Sequence, residues 1–513
     1  MRQFDAVVIG TGPAGQRAAI QAAKLGKKVL ACEKERHVGG AAINTGTIPS
    51  KALREAILHL TGASKRGLFG DSYRVKSDIT LGDLITVSQQ VMVHERELIR
   101  DQFARNGVEL AEGTATFDDP HQITIESSKG TERIKADKFF ICTGTRPATP
   151  DSVPFADERV FTSDGLLQMD RLPKSMVIVG GGVIGTEYAC MMATLGIKVT
   201  LVEGRDQILG FLDDEIAEAM QYHMRRSGIT LRLGEKVKEI KLLDPPPEPE
   251  QPKKKTKQQK SSDKAEKLVE EHAAGAAGDA EVETMAEQVE TRMRQEPLVM
   301  AVLESGKKLR AQTLLYSIGR QGTVNKLGVK NAGLEASDRE RLQVNEHYQT
   351  DVPHIYAIGD VIGFPALAST AMEQGRLAAC HAFGVDATSL PELFPYGIYA
   401  IPEISMVGKT EEELTDAGIP YEAGIAEYKE IARGQLLGDE TGMLKLLIHQ
   451  EDRTILGVHA IGSGATELIH IGQAAMALGG KVDFFVKNVF NYPTLAEAYK
   501  VAALNGLNKL QLT

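Results

Sequence analysis

Two glycine triplets, each followed at the same distance by an acidic residue, are the residues of this sequence best suited to chemistry. Gly10, Gly12 and Gly15 stand in GTGPAG, with Glu33 placed 23 residues after Gly10. Gly180, Gly182 and Gly185 stand in GGGVIG, with Glu203 placed 23 residues after Gly180. In such a triplet the first glycine allows a tight turn, the second lets backbone approach a pyrophosphate, and the third lets a helix pack on a strand. The helix N-terminus offers unpaired N–H groups and a positive dipole end to the phosphates. The acidic residue accepts hydrogen bonds from a ribose diol. A lone triplet is weak, since a glycine turn without a ligand would look the same. Here both triplets have the right context. Each follows an apolar strand pattern (DAVVI, MVIV), opens a helical pattern, and precedes a second strand pattern ending in the acid. Two dinucleotide-binding modules are expected.

Two later turns fit the same chemistry. FFICTGTRP runs a strand into a glycine turn, and IYAIGDV reads as a strand ending at Asp360, with a helical pattern from near Ala366. A carboxylate at such a strand end can bind sugar-like hydroxyls, and the following helix N-terminus can stabilise negative charge. By itself Asp360 would more often be a turn residue.

The elements that must position these residues alternate strand and helix through most of the chain, which predicts an α/β fold with parallel, doubly wound sheets. At 513 residues the chain has room for about three domains. A tail from about Pro391 differs: GMLKLLIHQEDRTILGVHAIG has hairpin character, and helical patterns follow, predicting a C-terminal α+β domain. Between Asp244 and Pro297 the composition turns to Pro, Lys, Glu, Gln and Ala. Its first half is expected to be disordered and its second half a solvated helix, the whole inserted into a surface hairpin between KVKEIKLL and PLVMAVLES. The expected partition is a first, discontinuous dinucleotide-binding domain of residues 1–150 and 321–388, a second of residues 151–320 that contains the insertion 244–297, and a C-terminal domain of residues 389–513.

Charge and composition exclude several classes. A net charge of −10 argues against a nucleic-acid partner. No run of 18 apolar residues suits a membrane span. Met1 leads directly into strand pattern rather than a signal peptide. Cys32, Cys142, Cys190 and Cys380 form no metal or disulfide spacing, so reduced thiols and a cytoplasmic setting are expected.

The order GTGPAG, Glu33, VGGAAINTGTIPSK, TGTRP, GGGVIGTE and AIGD resembles the FAD-dependent pyridine nucleotide-disulfide oxidoreductases over the whole chain except the insertion. The resemblance implies FAD in the first module, NAD(H) and NADP(H) as substrates in the second, no metal, and a homodimer through the C-terminal domain, with higher assembly left open. For FAD it points to Gly10, Gly12, Pro13, Ala14 and Gly15, to Glu33 and Lys34, and to Gly39, Gly40, Ala42 and Lys51. Gly113, Thr143, Gly144, Asp360 and Ala368 complete that set. For the nicotinamide nucleotide it points to Gly180, Gly182, Val183, Ile184, Gly185 and Glu187, and to Glu203, Arg205, Val237 and Gly319.

Two departures from the family pattern decide the expected activity. Members that reduce disulfides carry a CxxxxC pair before IPSK, and here the two places hold Ala42 and Thr47. Thr47 can instead cap the helix that begins there. Those members also carry a His before Pro near the C-terminus, acting as acid–base for the thiols. Here the segment is NYPTLAE, with Tyr492 in that place and Glu497 retained. Tyrosine, with a pKa near 10, is a poor base at neutral pH. The chain thus resembles the flavin-dependent, Si-specific transhydrogenase branch, in which hydride passes from NADPH to flavin N5 and then to NAD+ in a ping-pong sequence. Thr47, Lys51 and Glu187 are its catalytic candidates, with Lys51 and Glu187 expected to pair near flavin N5. Glu203 favours NAD(H), whereas Arg205 suits a 2′-phosphate. An NAD(P)H dehydrogenase with a quinone or oxygen acceptor is the alternative enzyme, and a non-catalytic flavoprotein the alternative of another class.

Overall fold

The structure is a computed structural model that describes residues 1–70, 72–166, 169, 171–244, 297–387 and 393–510. The first sheet is built on the parallel strands Glu109–Glu112, Val29–Glu33, Arg2–Ile9 and Gly130–Ile141, in that spatial order. An antiparallel meander, Thr114–Asp119 and Gln122–Ser127, extends it beyond Gly130–Ile141. Strand Ile355–Ala357, from far along the chain, pairs in parallel with Gly130–Ile141. The late segment is therefore built into the first sheet. Val29–Glu33 is buried at every residue, as expected for a parallel strand covered on both faces. Where the chain leaves this sheet and later returns, Thr145–Pro147 and Arg320–Gly322 form a two-stranded antiparallel ribbon.

The second sheet repeats the plan. Thr230–Arg232, Lys198–Val202, Ser175–Val179, Thr313–Tyr316 and Val160–Phe161 lie side by side and all parallel. A three-stranded antiparallel layer, Val237–Leu243, Leu298–Leu303 and Lys308–Ala311, packs its apolar face against it. Leu243 is the direct partner of Leu298, so the strands flanking the insertion form a hairpin as expected. The insertion itself, including its expected disordered and helical halves, lies outside the described residues.

The C-terminal sheet is antiparallel, in the order Tyr396–Ile398, Ile404–Gly408, Ile455–Ile461, Met443–His449 and Tyr421–Glu427. Helices Ala465–Ala477 and Glu497–Leu510 cover one face over a core that includes Leu446, Val458, Phe485 and Tyr499. No helix among the described residues is long and apolar enough to cross a membrane.

Candidate dinucleotide sites and the charged junction between them

Both glycine turns have the geometry that the sequence calls for. Gly10 has φ +103°, and a Cβ there would lie 2.4 Å from the Cys142 carbonyl oxygen. A Cβ on Gly15 would lie 1.9 Å from the Gly10 oxygen. The second module matches: Gly180 has φ +108°, and a Cβ on Gly185 would lie 1.8 Å from the Gly180 oxygen. These four glycines are required by the fold itself, through left-handed backbone or helix–strand contact. The middle glycines are not. A Cβ on Gly182 would meet nothing within 4 Å, and one on Gly12 only Gly40 Cα at 3.8 Å. Space for a ligand explains them better than packing does.

The helices that follow are open at their N-termini. Pro13–Lys24 starts with Pro at its first position, where a missing N–H costs nothing. Neither it nor Val183–Thr194 has a side-chain cap or an acidic residue in its first turn. Their leading N–H groups are therefore available to phosphate. Gly39 and Gly40, both with positive φ, bring a third turn against Gly12. The residues present fit a dinucleotide in each module.

Around the first site the acid is held in place. Glu33 is buried and accepts from Thr11 N–H at 3.0 Å, from the Thr11 hydroxyl at 2.5 Å and from Glu35 N–H at 3.1 Å. The Thr11 hydroxyl in turn accepts from Gly39 N–H at 3.1 Å, coupling the two turns. Thr11 was invisible to motif reading because it fills a variable position. Gly113, φ +154°, donates its N–H to the Glu33 carbonyl at 2.8 Å. The buried Thr143 hydroxyl has no hydrogen-bond partner among the described residues, and its carbonyl accepts from Thr323. Such an orphaned polar atom beside the cradle suits a polar ligand. Lys34 points to solvent, and Ala42 is half-buried in the short helix Gly40–Asn44.

Two sequence expectations need correction. The strand expected to end at Asp360 stops at Ala357, because Gly359 takes φ +79° and turns the chain. Asp360 sits in the 3-10 turn Gly359–Ile362 and accepts from the Thr145 hydroxyl at 3.2 Å, just before helix Ala368–Ala382. Thr47 is not a cap. It is the first residue of helix Thr47–Thr61, exposed, and Gly46 takes the cap position with no side-chain hydrogen bond. A cap must lie one residue outside the helix with extended backbone. Val237 begins its hairpin strand opposite Leu303, and Gly319, φ +79°, lies in the turn before the ribbon.

Lys51 and Glu187 meet. The Lys51 ammonium donates to both Glu187 oxygens, at 2.9 and 2.7 Å, although 136 residues separate them. Glu187 is buried and also accepts from Tyr399 N–H at 2.8 Å. The Tyr399 ring lies 4.9 Å from the ammonium, close enough for a cation–π contact. Helix Thr47–Thr61, helix Val183–Thr194 and the residue that follows strand Tyr396–Ile398 thus send a side chain or backbone group to one point, and Tyr399 is the contributor that motif reading did not find.

At the second site Glu203 is almost fully buried and accepts from Gly181 N–H at 2.6 Å. Arg205 closes on it, its N–H and Nε both 3.0 Å from one oxygen and a terminal nitrogen 3.3 Å from the other. Burial pushes this carboxyl up, but the Arg205 and Gly181 hydrogen bonds outweigh it and hold the group below its ordinary range.

No described cysteine is placed to act as a nucleophile. All four are buried and unpaired, and burial pushes Cys32 up to about 12 and raises Cys142 and Cys190 as well. In the C-terminal domain Tyr492 is exposed, and Glu497 keeps one buried oxygen without a partner among the described residues.

A family model described as pyridine nucleotide-disulphide oxidoreductase matches residues 4–269 and 254–375. The chain belongs to the pyridine nucleotide-disulphide oxidoreductase family. That family's dimerisation-domain model matches residues 394–503. Among relatives, the soluble pyridine nucleotide transhydrogenase of Mycobacterium tuberculosis is 49% identical over 513 residues, covering 100% of this chain and 98% of its own. The protein of that name from Colwellia psychrerythraea is 41% identical over 514 residues, covering 99% of this chain and 98% of its own. Among solved structures, the Cu(II) complex of the HOCl-induced flavoprotein disulfide reductase RclA from Escherichia coli aligns with TM-score 0.79 at 23% identity, covering 98% of this chain and 99% of its own. LpdA from Mycobacterium tuberculosis aligns with TM-score 0.79 at 22% identity, covering 98% of this chain and 99% of its own. At those identities the structures bear on the fold alone.

Proposed function

We propose that the chain is an FAD-dependent transhydrogenase that moves hydride between NADPH and NAD+ at a single nicotinamide nucleotide site. One observation carries the reading: the chain has two dinucleotide cradles, while Ala42 and Thr47 stand where a redox-active thiol pair would be. FAD, when bound, supplies hydride acceptance and return at its flavin ring. The chain's own residues bind and orient. Gly10 to Gly15 with Gly39 and Gly40 hold the flavin nucleotide's phosphates, Glu33 its ribose, and Asp360 with the helix from Ala368 its far half. Gly180 to Gly185 with Glu203 hold the substrate nucleotide. Lys51, fixed by Glu187 and Tyr399, would supply a held cation able to stabilise negative charge on the bound flavin. Neither thiol nor general base is required, which accords with Tyr492 in the place of a histidine.

The reading keeps the partition into residues 1–150 with 321–388, 151–320, and 389–513. It makes the protein a homodimer through the last domain, whose surface exposes Leu478, Phe484, Val489 and Tyr492. Its setting is the cytoplasm, where both nucleotide pools lie and buried thiols stay reduced. The names of the full-length relatives support this activity over a dehydrogenase with a quinone or oxygen acceptor.

Anaerobic stopped-flow tests it. NADPH should bleach the flavin band, and a thio-NAD+ acceptor should restore it at a comparable rate. Bleaching by NADH only, with reoxidation by quinone or oxygen and not by nucleotide, would overturn the reading.

A further inference from the structure

A site that serves both nucleotides must accept a free 2′-hydroxyl and a 2′-phosphate in turn, and a buried carboxylate suits only the first. Glu203 is that carboxylate, and its anchors fall into two kinds. Gly181 N–H and Arg205 N–H are backbone and stay fixed. The Arg205 guanidinium is a side chain more than half exposed, at 56%, against 10% for Glu203, and so is free to turn. It lies over Gly210, where a Cβ would be 3.4 Å from one of its terminal nitrogens. A second cation comes from a neighbouring segment. Glu235 N–H donates to the Glu203 carbonyl at 3.0 Å, which ties the next segment to the site. From that segment the exposed Lys236 runs its stem across Gly204, 3.1 Å at Cγ and 3.3 Å at Cε from where a Cβ would stand.

The geometry points to Arg205 as a partner-exchanging latch, with Lys236 as its second cation, that admits NADP(H) to a site built around a carboxylate. Closed on Glu203, the guanidinium neutralises the carboxylate and leaves a site shaped for NAD(H). With NADP(H), it turns from Glu203 to the 2′-phosphate, Lys236 joins it, and the two backbone N–H groups keep Glu203 in place. A charge-assisted Arg–carboxylate pair is thus exchanged for an Arg–phosphate pair, so the change of partner costs little. Side chains at 204 and 210 would crowd the Lys236 stem and the Arg205 guanidinium, so glycine at both positions leaves the two cations their places.

This rests on the transhydrogenase reading, and oxidised nucleotides separate the two. Calorimetry would measure Kd for NADP+ and NAD+ on the oxidised holoenzyme, where no hydride moves. In Arg205→Ala the Kd ratio NADP+/NAD+ should rise at least tenfold, and Lys236→Met should move it in the same direction by less. Glu203→Gln should shift the ratio the other way. In turnover, Arg205→Ala should raise KM for NADPH more than it lowers kcat. An equal rise for both nucleotides would make Arg205 a structural anchor of Glu203 and overturn the latch. An unchanged ratio would also overturn it. If the wild-type holoenzyme binds no NADP+, or passes no hydride between nucleotides, the transhydrogenase reading itself fails.

Discussion

Lys51 is a cation that the fold has immobilised. Its ammonium is shared by both oxygens of a buried carboxylate and backed by an aromatic ring. Replacing it removes the positive charge expected at the hydride-receiving ring and strands Glu187 with only the Tyr399 N–H. Lys51→Ala should slow flavin reduction by NADPH by about tenfold or more in stopped-flow. A wild-type rate would reduce the pair to a structural tie. The pairing partner was legible in the sequence only through resemblance, because 136 residues lie between the two and no local pattern links them. Thr11 and Lys236 were not legible at all. Each acts through a neighbour brought to it by a distant turn or strand.

At the scale of the turn, the two glycines Gly182 and Gly185 separate ligand space from packing space. A Cβ on Gly185 would stand 1.8 Å from the Gly180 oxygen, so the helix could not seat on its strand. A Cβ on Gly182 would meet no protein atom within 4 Å. Gly185→Ala should therefore express poorly or melt well below wild type. Gly182→Ala should melt with wild type yet bind NADP+ and NAD+ at least tenfold more weakly by calorimetry. Equal melting losses in both would mean that the middle glycine serves the fold. The hairpin carrying the insertion makes a second case. Since Leu243 already pairs with Leu298, a short turn can join the two strands. Deleting residues 246–294 should leave FAD content and turnover as in wild type. Loss of either would show that the insertion is needed.

Across the whole molecule the second and third units are tied by a buried charge. Lys445, on the C-terminal sheet, donates to Asp213 at 2.7 Å and pairs with Glu215 at 2.9 Å and with Glu411. Lys445 and Asp213 are each almost fully buried, and His459 stands opposite Lys445 on the neighbouring strand. Lys445→Met would leave Asp213 buried without its counter-ion, at a cost of about 3–5 kcal/mol, visible as a lower melting temperature in calorimetry. Burial raises the Asp213 carboxyl, but His459 and Lys445 outweigh it and hold the group below its ordinary range. A depressed folded pKa gives stability that is present above the ordinary carboxylate pKa and lost as pH falls through the folded value. The gap between wild type and Lys445→Met should therefore narrow as pH drops below about 4. A gap that does not change with pH would mean that Asp213 is not the group held.

The sequence by itself determined the repeated strand–turn–helix units, the acid at the end of each second strand, the hairpin at the insertion and the absence of a thiol pair. These follow from backbone conformation and side-chain period, which act over a few residues and leave their mark on adjacent positions. It ran the strand before Asp360 three residues too far and read Thr47 as a cap, because where a strand stops or a helix starts depends on single φ values. Only the tertiary structure decided which charges meet: Lys51 with Glu187 over Tyr399, Glu203 closed under Arg205 beside Lys236, and Lys445 among three carboxylates. An ion pair or a cradle wall is a contact in space, and the residues that make it are set by the path of the chain, which no local pattern encodes.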